Sequence, residues 1–293
     1  MKIEFLGTGG ALPIPRPGCT CAVCREARAK GVPYSRSGPS LFIHGPGILI
    51  DTPEEIGTQL NRAHILDVPH CFYSHWHPDH IMGRRVWEMN FDWERWPPQH
   101  RVTNIYLPQR VAVDFKERLG MWEHLSYLQQ LGVVRLLVLG DGETVVVGDT
   151  QVYPFRLAVD YVYGFLLVRG DTRVFIAPDE LFGWEPPELV RGVDVAVIPK
   201  GIQEFNPFTG ERQIPAEHPV LKSEATFRQT LQMVRRLQAR EVVMTHIEEA
   251  DRLSYEDLLR LEEQLRQEGF NIRFAYDTMV LELPLSQRSS GSI

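Results

Sequence analysis

Residues 75–80 read His-Trp-His-Pro-Asp-His and put four metal-ligating side chains, His75, His77, Asp79 and His80, within six positions. The apolar run VPHCFYS leads into them, and IMGRRVWEM, which can open a helix, follows. Alternate side chains of a strand share a face, so at a strand end His75 and His77 can point at one ion. As the chain turns, Asp79 and His80 can reach a second. Imidazole with carboxylate suits zinc, and iron or manganese accept the same donors. A lone histidine is usually an ordinary polar residue. Four ligands at this spacing on a strand-to-loop junction mark a metal site.

Cys19, Cys21 and Cys24 form a second cluster, C-x-C-x-x-C, while Cys71 stands alone in the apolar run before His75. The N-terminus, MKIEFLGTGG, lacks the basic-then-apolar pattern of a secretion signal. Clustered cysteines in such a chain point to a structural zinc more than to disulfides; the alternatives are surface thiols or redox chemistry. A zinc takes four ligands, and the cluster itself supplies three. Cys71 reads as a small buried hydrophobe. The 43% hydrophobic content of the 293 residues supports a substantial core, and 24% charged residues is ordinary for a soluble protein. No apolar run is long enough to cross a bilayer, so a cytoplasmic location without a membrane partner is expected. A net charge of −7 argues against a broad nucleic-acid surface but allows a local pocket for one phosphate. A homodimer is the default assembly.

The remaining elements must carry these residues to one place. KIEFLGTGGA reads as a strand running into a tight turn that lets backbone approach the site; it lacks the spacing of a nucleotide-binding loop. SLFIHG and GILIDT read as a hairpin ending on Asp51. Further strands are expected at NIYLP, VVRLLVLG, ETVVVG, TQVYPFRLA, GFLLVRG, TRVFIAP, VDVAVIP, EVVMT, NIRFAY and MVLELP. Residues 81–100 suggest a helix and then a loop over the site mouth, or else Trp87, Trp93 and Trp96 packed in a core. SEATFRQTLQMVRRLQAR reads as a helix with Ser223 as N-cap, and Ser254 with Asp257 as a capping box opening a last helix. Many short strands with few helices imply two packed sheets flanked by helices. Asp51, His75, Asp179 and His246 all fall at strand C-termini, so separate strands can deliver ligands to one sandwich edge. No internal repeat or linker divides the chain. A single domain over residues 1–285 and a disordered polar tail at 286–293 are expected.

Taken together, His75-x-His77-x-Asp79-His80, Asp51, Asp179 in VFIAPDE and His246 in VVMTHIE resemble, in order, the signature of the metallo-β-lactamase-fold hydrolases. That resemblance implies an α/β fold, a four-layer αβ/βα sandwich with one or two zinc ions at one edge. It implies His75, His77 and a bridging Asp179 on the first ion, and Asp79, His80, Asp179 and His246 on the second. Asp51 would support the ligands from behind. FLGTGGA, the cysteine cluster and the closing T-H-I are similar to the phosphoribosyl cyclic phosphate phosphodiesterase branch. In that branch the cysteines bind a structural zinc, and the fourth ligand corresponds to Glu249. His218 corresponds to a histidine facing the substrate phosphate. One departure stands out: the histidine usual before the Gly-aromatic pair, here Gly164-Phe165, is missing from FRLAVDYVYGF. Asp160 can stand in for it; the alternatives are a water ligand or a weak first site.

The expected function is a metal-dependent hydrolase, a phosphodiesterase using a metal-activated hydroxide on a small cyclic or nucleotide-like phosphodiester. Asp79 and His218 are the expected catalytic residues, His218 as proton donor or phosphate contact. Arg84, Arg85, Lys200 and Lys222 are candidate phosphate contacts, each also readable as ordinary surface charge. A tRNA 3′-end-type nuclease, a lactonase or thioesterase, and a fold-retaining protein of cofactor biosynthesis with a weakened metal site remain alternatives. A di-iron reductase normally has a carboxylate where His77 stands.

Overall fold

β-Branched runs punctuated by glycine and proline become short strands throughout the chain, and the computed structural model describes residues 1–284. The expected tail at 286–293 lies outside the described residues. The first half runs β1 (Lys2–Gly7), α1 (Ala22–Lys30), β2 (Ser40–His44), β3 (Ile48–Ile50), α2 (Ile56–Arg62), β4 (His70–Phe72), α3 (Pro78–Ile81), β5 (Thr103–Pro108), α4 (Gln109–Glu117), α5 (Met121–Gln130) and β6 (Val134–Leu139). The second runs β7 (Val145–Val147), β8 (Thr150–Arg156), β9 (Tyr163–Arg169), β10 (Thr172–Ile176), β11 (Val195–Pro199), α6 (Phe227–Leu237), β12 (Glu241–Thr245), α7 (Tyr255–Gln267), β13 (Ile272–Phe274) and β14 (Val280–Glu282). No helix among the described residues is long and apolar enough to cross a membrane.

These strands form two mixed sheets, ordered β14-β1-β2-β3-β4-β5-β6 and β13-β12-β11-β10-β9-β8-β7. In the first, antiparallel pairings from β14 to β3 give way to parallel ones from β3 to β6. The second repeats the pattern, antiparallel from β7 to β10 and parallel from β10 to β13. The two halves thus share one topology although their sequences show no repeat. Strand alternation divides the core. Val174, Ile176, Val195, Val197 and Val243 face the first sheet, in one cluster with Ile3, Phe72 and Ile105. Phe175, Ala196, Ile198, Val242 and Met244 face outward to Phe227, Leu237, Leu258 and Leu261 of α6 and α7. Strands covered on both faces explain the continuous apolar runs. Two mixed sheets flanked by helices form the sandwich expected from the sequence.

Local differences have identifiable causes. The N-cap of α6 is Thr226, not Ser223: Thr226 Oγ1 accepts from Gln229 N (3.3 Å) and Gln229 Oε1 accepts from Thr226 N (2.8 Å). Ser223 instead closes the 3₁₀ turn Pro219–Lys222. The reciprocal bonds of a capping box, worth about 1 kcal/mol, outcompete it. The box of Ser254 and Asp257 opens α7 as expected. The second half of HWHPDH forms the short α3, and a 3₁₀ helix, Met82–Asn90, follows. Trp87 there is fully buried with Nε1 donating to Tyr73 Oη (3.2 Å), whereas Trp93 and Trp96 are exposed. The helices α1, α2, α4 and α5 have no counterpart in the sequence reading.

The N-terminal turn does bring backbone close to the second sheet. Ile247 N donates to Thr8 O (3.0 Å), and Ala11 N to Glu248 Oε1 (3.0 Å). A Cβ on Gly10 would lie 2.5 Å from the Glu248 side chain, which would have to shift to admit it. Behind this contact Lys200, fully buried, meets Asp251 Oδ2 at 3.0 Å. Burial lowers the Lys200 pKa and Asp251 opposes that shift. Lys200 is therefore a buried structural charge, neither a phosphate contact nor a surface one. Asp251→Ala strands that charge and is expected to cost about 3–5 kcal/mol in urea unfolding. The double change Lys200→Met/Asp251→Leu should recover most of the loss, and a mild Asp251→Ala phenotype would show that the pair matters little.

Candidate metal centre

Parallel strands deliver the candidate ligands from their carboxyl ends. Asp51 follows β3, His75 and His77 lie in the loop after β4, and Asp79 and His80 are on α3. Asp179 follows β10 and His246 follows β12. His75, His77 and Asp179 form one potential ligand group, and Asp79, His80 and His246 a second. Asp179 lies between them. Its Oδ2 is 3.4 Å from His75 Nε2, 3.8 Å from His77 Nδ1 and 3.8 Å from His80 Nε2, and its Oδ1 is 3.5 Å from His246 Nε2. Asp79 Oδ2 is 3.2 Å from His80 Nε2 and 3.5 Å from His246 Nε2. Ligands bonded at zinc distances in a tetrahedron stand about 3.4 Å apart, so these separations fit.

A hydrogen-bond relay orients two of the histidines. Buried Asp51 accepts from Ser74 N (2.8 Å), Ser74 Oγ (2.6 Å) and His80 Nδ1 (2.8 Å). Because the Ser74 hydroxyl gives its only hydrogen to Asp51, its oxygen must accept from His75 Nδ1 (2.9 Å). Both imidazoles therefore aim Nε2 at the centre, one held by Asp51 directly and one through Ser74. His75, His80 and His246 each have a buried Nε2 without a hydrogen-bond partner. Buried nitrogens facing carboxylates in this way fit cation ligands. Asp51 (φ 62°), Glu180 (φ 34°) and His246 (φ 53°) all occupy the left-handed region, strain that gathers at functional sites.

The electrostatics suit a bound cation. Burial pushes His75 down to about 4, which leaves it neutral. Burial also disfavours charge on His80 and His246, but carboxylates prevail. Asp79 and Asp51 hold His80 well above its usual range, and Asp179 and Asp79 raise His246 to about 9. Burial would raise Asp179, yet His246, His75 and His77 hold it well below the usual carboxylate range. In the metal-free protein, protons on His80 and His246 thus occupy the place a metal cation would take. The centre floors a cavity of about 390 Å³, also lined by Glu180, Glu224 and Glu248. Burial and neighbouring Glu224 push Glu180 up to about 9.

A family model described as a beta-lactamase superfamily domain matches residues 47–247, which include Asp51 and all six candidate ligands from His75 to His246. The chain belongs to that family. No curated protein matches the chain by sequence. Among solved structures, one described as a new diphosphatase from the PhnP family is similar at TM-score 0.70 and 22% identity, covering 97% of this chain and 98% of that one. Zinc-bound PqqB from Methylobacterium extorquens is similar at TM-score 0.69 and 14% identity, covering 97% and 100%. The short form of human tRNase Z is similar at 0.63 and 17%, covering 97% and 100%. At these identities the likeness is one of fold.

Beside this superfamily centre, Cys19, Cys21, Cys24 and Glu249 bring four ligand atoms within 4.8 Å of one another. Cys21 caps α1, its Sγ accepting from Cys24 N (3.4 Å). Cys19 Sγ accepts from Cys21 N (3.5 Å), and Cys24 Sγ from Arg16 N (3.3 Å). Backbone donors from Cys21 help lower Cys19 to about 7, whereas burial raises Cys24 to about 11. Three sulfurs receiving N–H bonds fit thiolate ligands. Glu249 also pairs with Arg16 at 2.6 Å. Cys71 is fully buried, as a small hydrophobe would be.

Two expected residues are not brought to the centre. Asp160 is exposed on the turn between β8 and β9 and joins neither ligand group. Its neighbour Tyr161 stands there instead, with Oη 3.5 Å from His77 Nε2. His218 is exposed and caps the turn at 219–222, its Nδ1 accepting from Val220 N at 3.2 Å. It does not line the cavity, and neither do Arg84, Arg85, Lys222 or any other residue of 81–100. Ser74, Tyr161, Glu180, Glu224 and Glu248 were missed. Ser74 and Glu180 adjoin recognised ligands, the one signal that could have found them.

Asp51→Ala should lower metal affinity by about 10–100-fold, measured by chelator competition. Unchanged affinity would remove the relay from any role in ligation. The raised His246 pKa stabilises the metal-free fold fully below pH 6.5, and that stabilisation is lost as pH rises through about 9. Metal uptake at pH 7 should therefore expel protons, read by calorimetry in buffers of different ionisation enthalpy. Buffer-independent heats would contradict this.

Proposed function

We propose that this chain is a metal-dependent phosphodiesterase acting on a small phosphodiester where the two sheets meet at their carboxyl edges. The observation carrying the reading is Asp179, within 3.4–3.8 Å of imidazole nitrogens from both ligand groups. His75, His77 and Asp179 would hold one zinc, iron or manganese ion. Asp79, His80 and His246, with Asp179 shared, would hold another. Ions bound there supply Lewis acidity for a phosphoryl oxygen and lower the pKa of water.

The chain's own residues prepare that chemistry. Asp51 and Ser74 fix the donor nitrogens, and Glu180 N donates to Asp179 Oδ1 (2.7 Å), holding the shared carboxylate in orientation. Leu181, Ile202 and Val220 give the cavity apolar wall that limits water. His218 is not placed to donate a proton. Phosphate-ester chemistry draws support from relatives in fold described as a diphosphatase and a tRNase Z. A cavity of about 390 Å³ without lining lysine or arginine favours a small substrate over a long polyanion, which needs a broad positive surface. A first ligand group with only two histidines favours a second reading, a fold-retaining protein with a weakened centre.

Metal-loaded protein should hydrolyse bis(p-nitrophenyl) phosphate, with rates falling about a hundredfold or more in His80→Ala and Asp179→Ala. If metal-loaded protein cleaves neither this diester nor p-nitrophenyl esters, the hydrolase reading fails and the second takes its place.

A further inference from the structure

The histidines of HWHPDH differ in how their outer nitrogens are held. His75 and His80 turn Nε2 towards Asp179 and Asp79, at 3.2–3.8 Å, and bond Nδ1 to Ser74 (2.9 Å) and Asp51 (2.8 Å). His77 is reversed. Its Nδ1 faces Asp179 Oδ2 at 3.8 Å, which leaves Nε2 on the outer side. An imidazole that lends Nδ1 to a cation carries its hydrogen on Nε2, and ligating histidines donate that hydrogen to a fixed acceptor. The Asp51–Ser74 relay serves the other two rings and not this one. Among the described residues, the side-chain partner of His77 Nε2 is Tyr161 Oη at 3.5 Å.

Tyr161 is held in that place by backbone and by packing. The turn carrying it closes through Leu157 N to Val162 O (2.9 Å), and Tyr163 N donates to Ser74 O (3.1 Å), which ties its exit to the residue before His75. The phenol ring stands edge-on to His77, with centroids 5.5 Å apart, and tilted against His75 and Trp76 at 6.4 and 6.1 Å. It therefore packs against three consecutive residues of the ligand loop. A neutral phenol oxygen can accept a hydrogen bond as well as donate one. The 3.5 Å separation is long for a hydrogen bond, and the His77 side chain is 33% exposed where those of His75 and His80 are fully buried. Water can thus share the acceptor role, which limits what loss of the hydroxyl costs.

We propose that Tyr161 is the positioning residue of His77, its hydroxyl oxygen accepting the Nε2 hydrogen once Nδ1 is bound to a cation. The proposal rests on the metal-dependent reading of the centre and supplies the orienting partner that one of the two imidazoles in the first ligand group otherwise lacks. The test compares zinc-saturated protein with zinc-saturated Tyr161→Phe by NMR of isotope-labelled histidines. In the unaltered protein, His75, His77 and His80 should each show a downfield imidazole N–H signal protected from exchange with water. In Tyr161→Phe the His77 signal should vanish while those of His75 and His80 remain. Zinc affinity of the first ligand group, followed on the His75 signals during chelator competition, should fall about tenfold. Phenylalanine keeps the ring packing, so a merely structural Tyr161 would move neither readout. A His77 signal absent from the unaltered protein, one that survives in Tyr161→Phe, or an unchanged affinity overturns the inference. Neither readout involves turnover. Signals and affinity that behave as expected in a protein that cleaves no diester support the inference and overturn only the phosphodiesterase reading.

Discussion

The hydrogen bonds converging on the Asp51 carboxylate are the constraint on which the centre depends. A buried carboxylate is costly unless its lone pairs are met. Ser74 N, Ser74 Oγ and His80 Nδ1 meet them at 2.6–2.8 Å. The consequence reaches the ligands, since one carboxylate decides which nitrogen of both His80 and His75 faces the centre. The loop is held from below as well. Thr52 N donates to His80 O (2.7 Å), and Thr52 Oγ1 bonds Tyr73 Oη (2.8 Å), which also accepts from Trp87 Nε1 (3.2 Å). Packing of a fully buried tryptophan is thereby linked to the orientation of a candidate ligand three hydrogen bonds away.

The repeated topology explains why Asp51 has a counterpart. β3 and β10 hold the same place in their sheets, each at the switch from antiparallel to parallel pairing. Asp51 follows the first, and Asp179 follows the second. One carboxylate orients ligands and the other is placed among them. His246 completes the arrangement from β12, and the N-terminal glycine turn holds its loop through Thr8 O and Ala11 N. Segments distant in sequence are thus tied to the same few ångströms by backbone hydrogen bonds.

Much of this was legible in the sequence, because metal ligation needs particular side chains and strand ends place them at readable positions. His75, His77, Asp79, His80, Asp179 and His246 were recognisable on those grounds, the cysteine cluster stood out by its spacing, and Glu249 was reached only through the family resemblance. Short apolar runs bounded by turn residues announced the sheets. What escaped depends on three-dimensional approach. A serine before a histidine and a glutamate after an aspartate carry no periodic signal, so Ser74 and Glu180 passed unnoticed. Asp160 was chosen by proximity along the chain, but the turn exposes it and brings Tyr161 inward. His218 and Lys200 show the same limit, one drawn into capping a turn and the other into a buried ion pair.

The most direct measurement of the shared-carboxylate centre is anomalous diffraction at the zinc edge from crystals of the zinc-loaded protein. Two peaks are expected on either side of Asp179, one bonded to His75 and His77 and the other to Asp79, His80 and His246. A single peak on the Asp79 side, with Asp179 bound to that ion alone, would contradict a centre built around one carboxylate common to both groups.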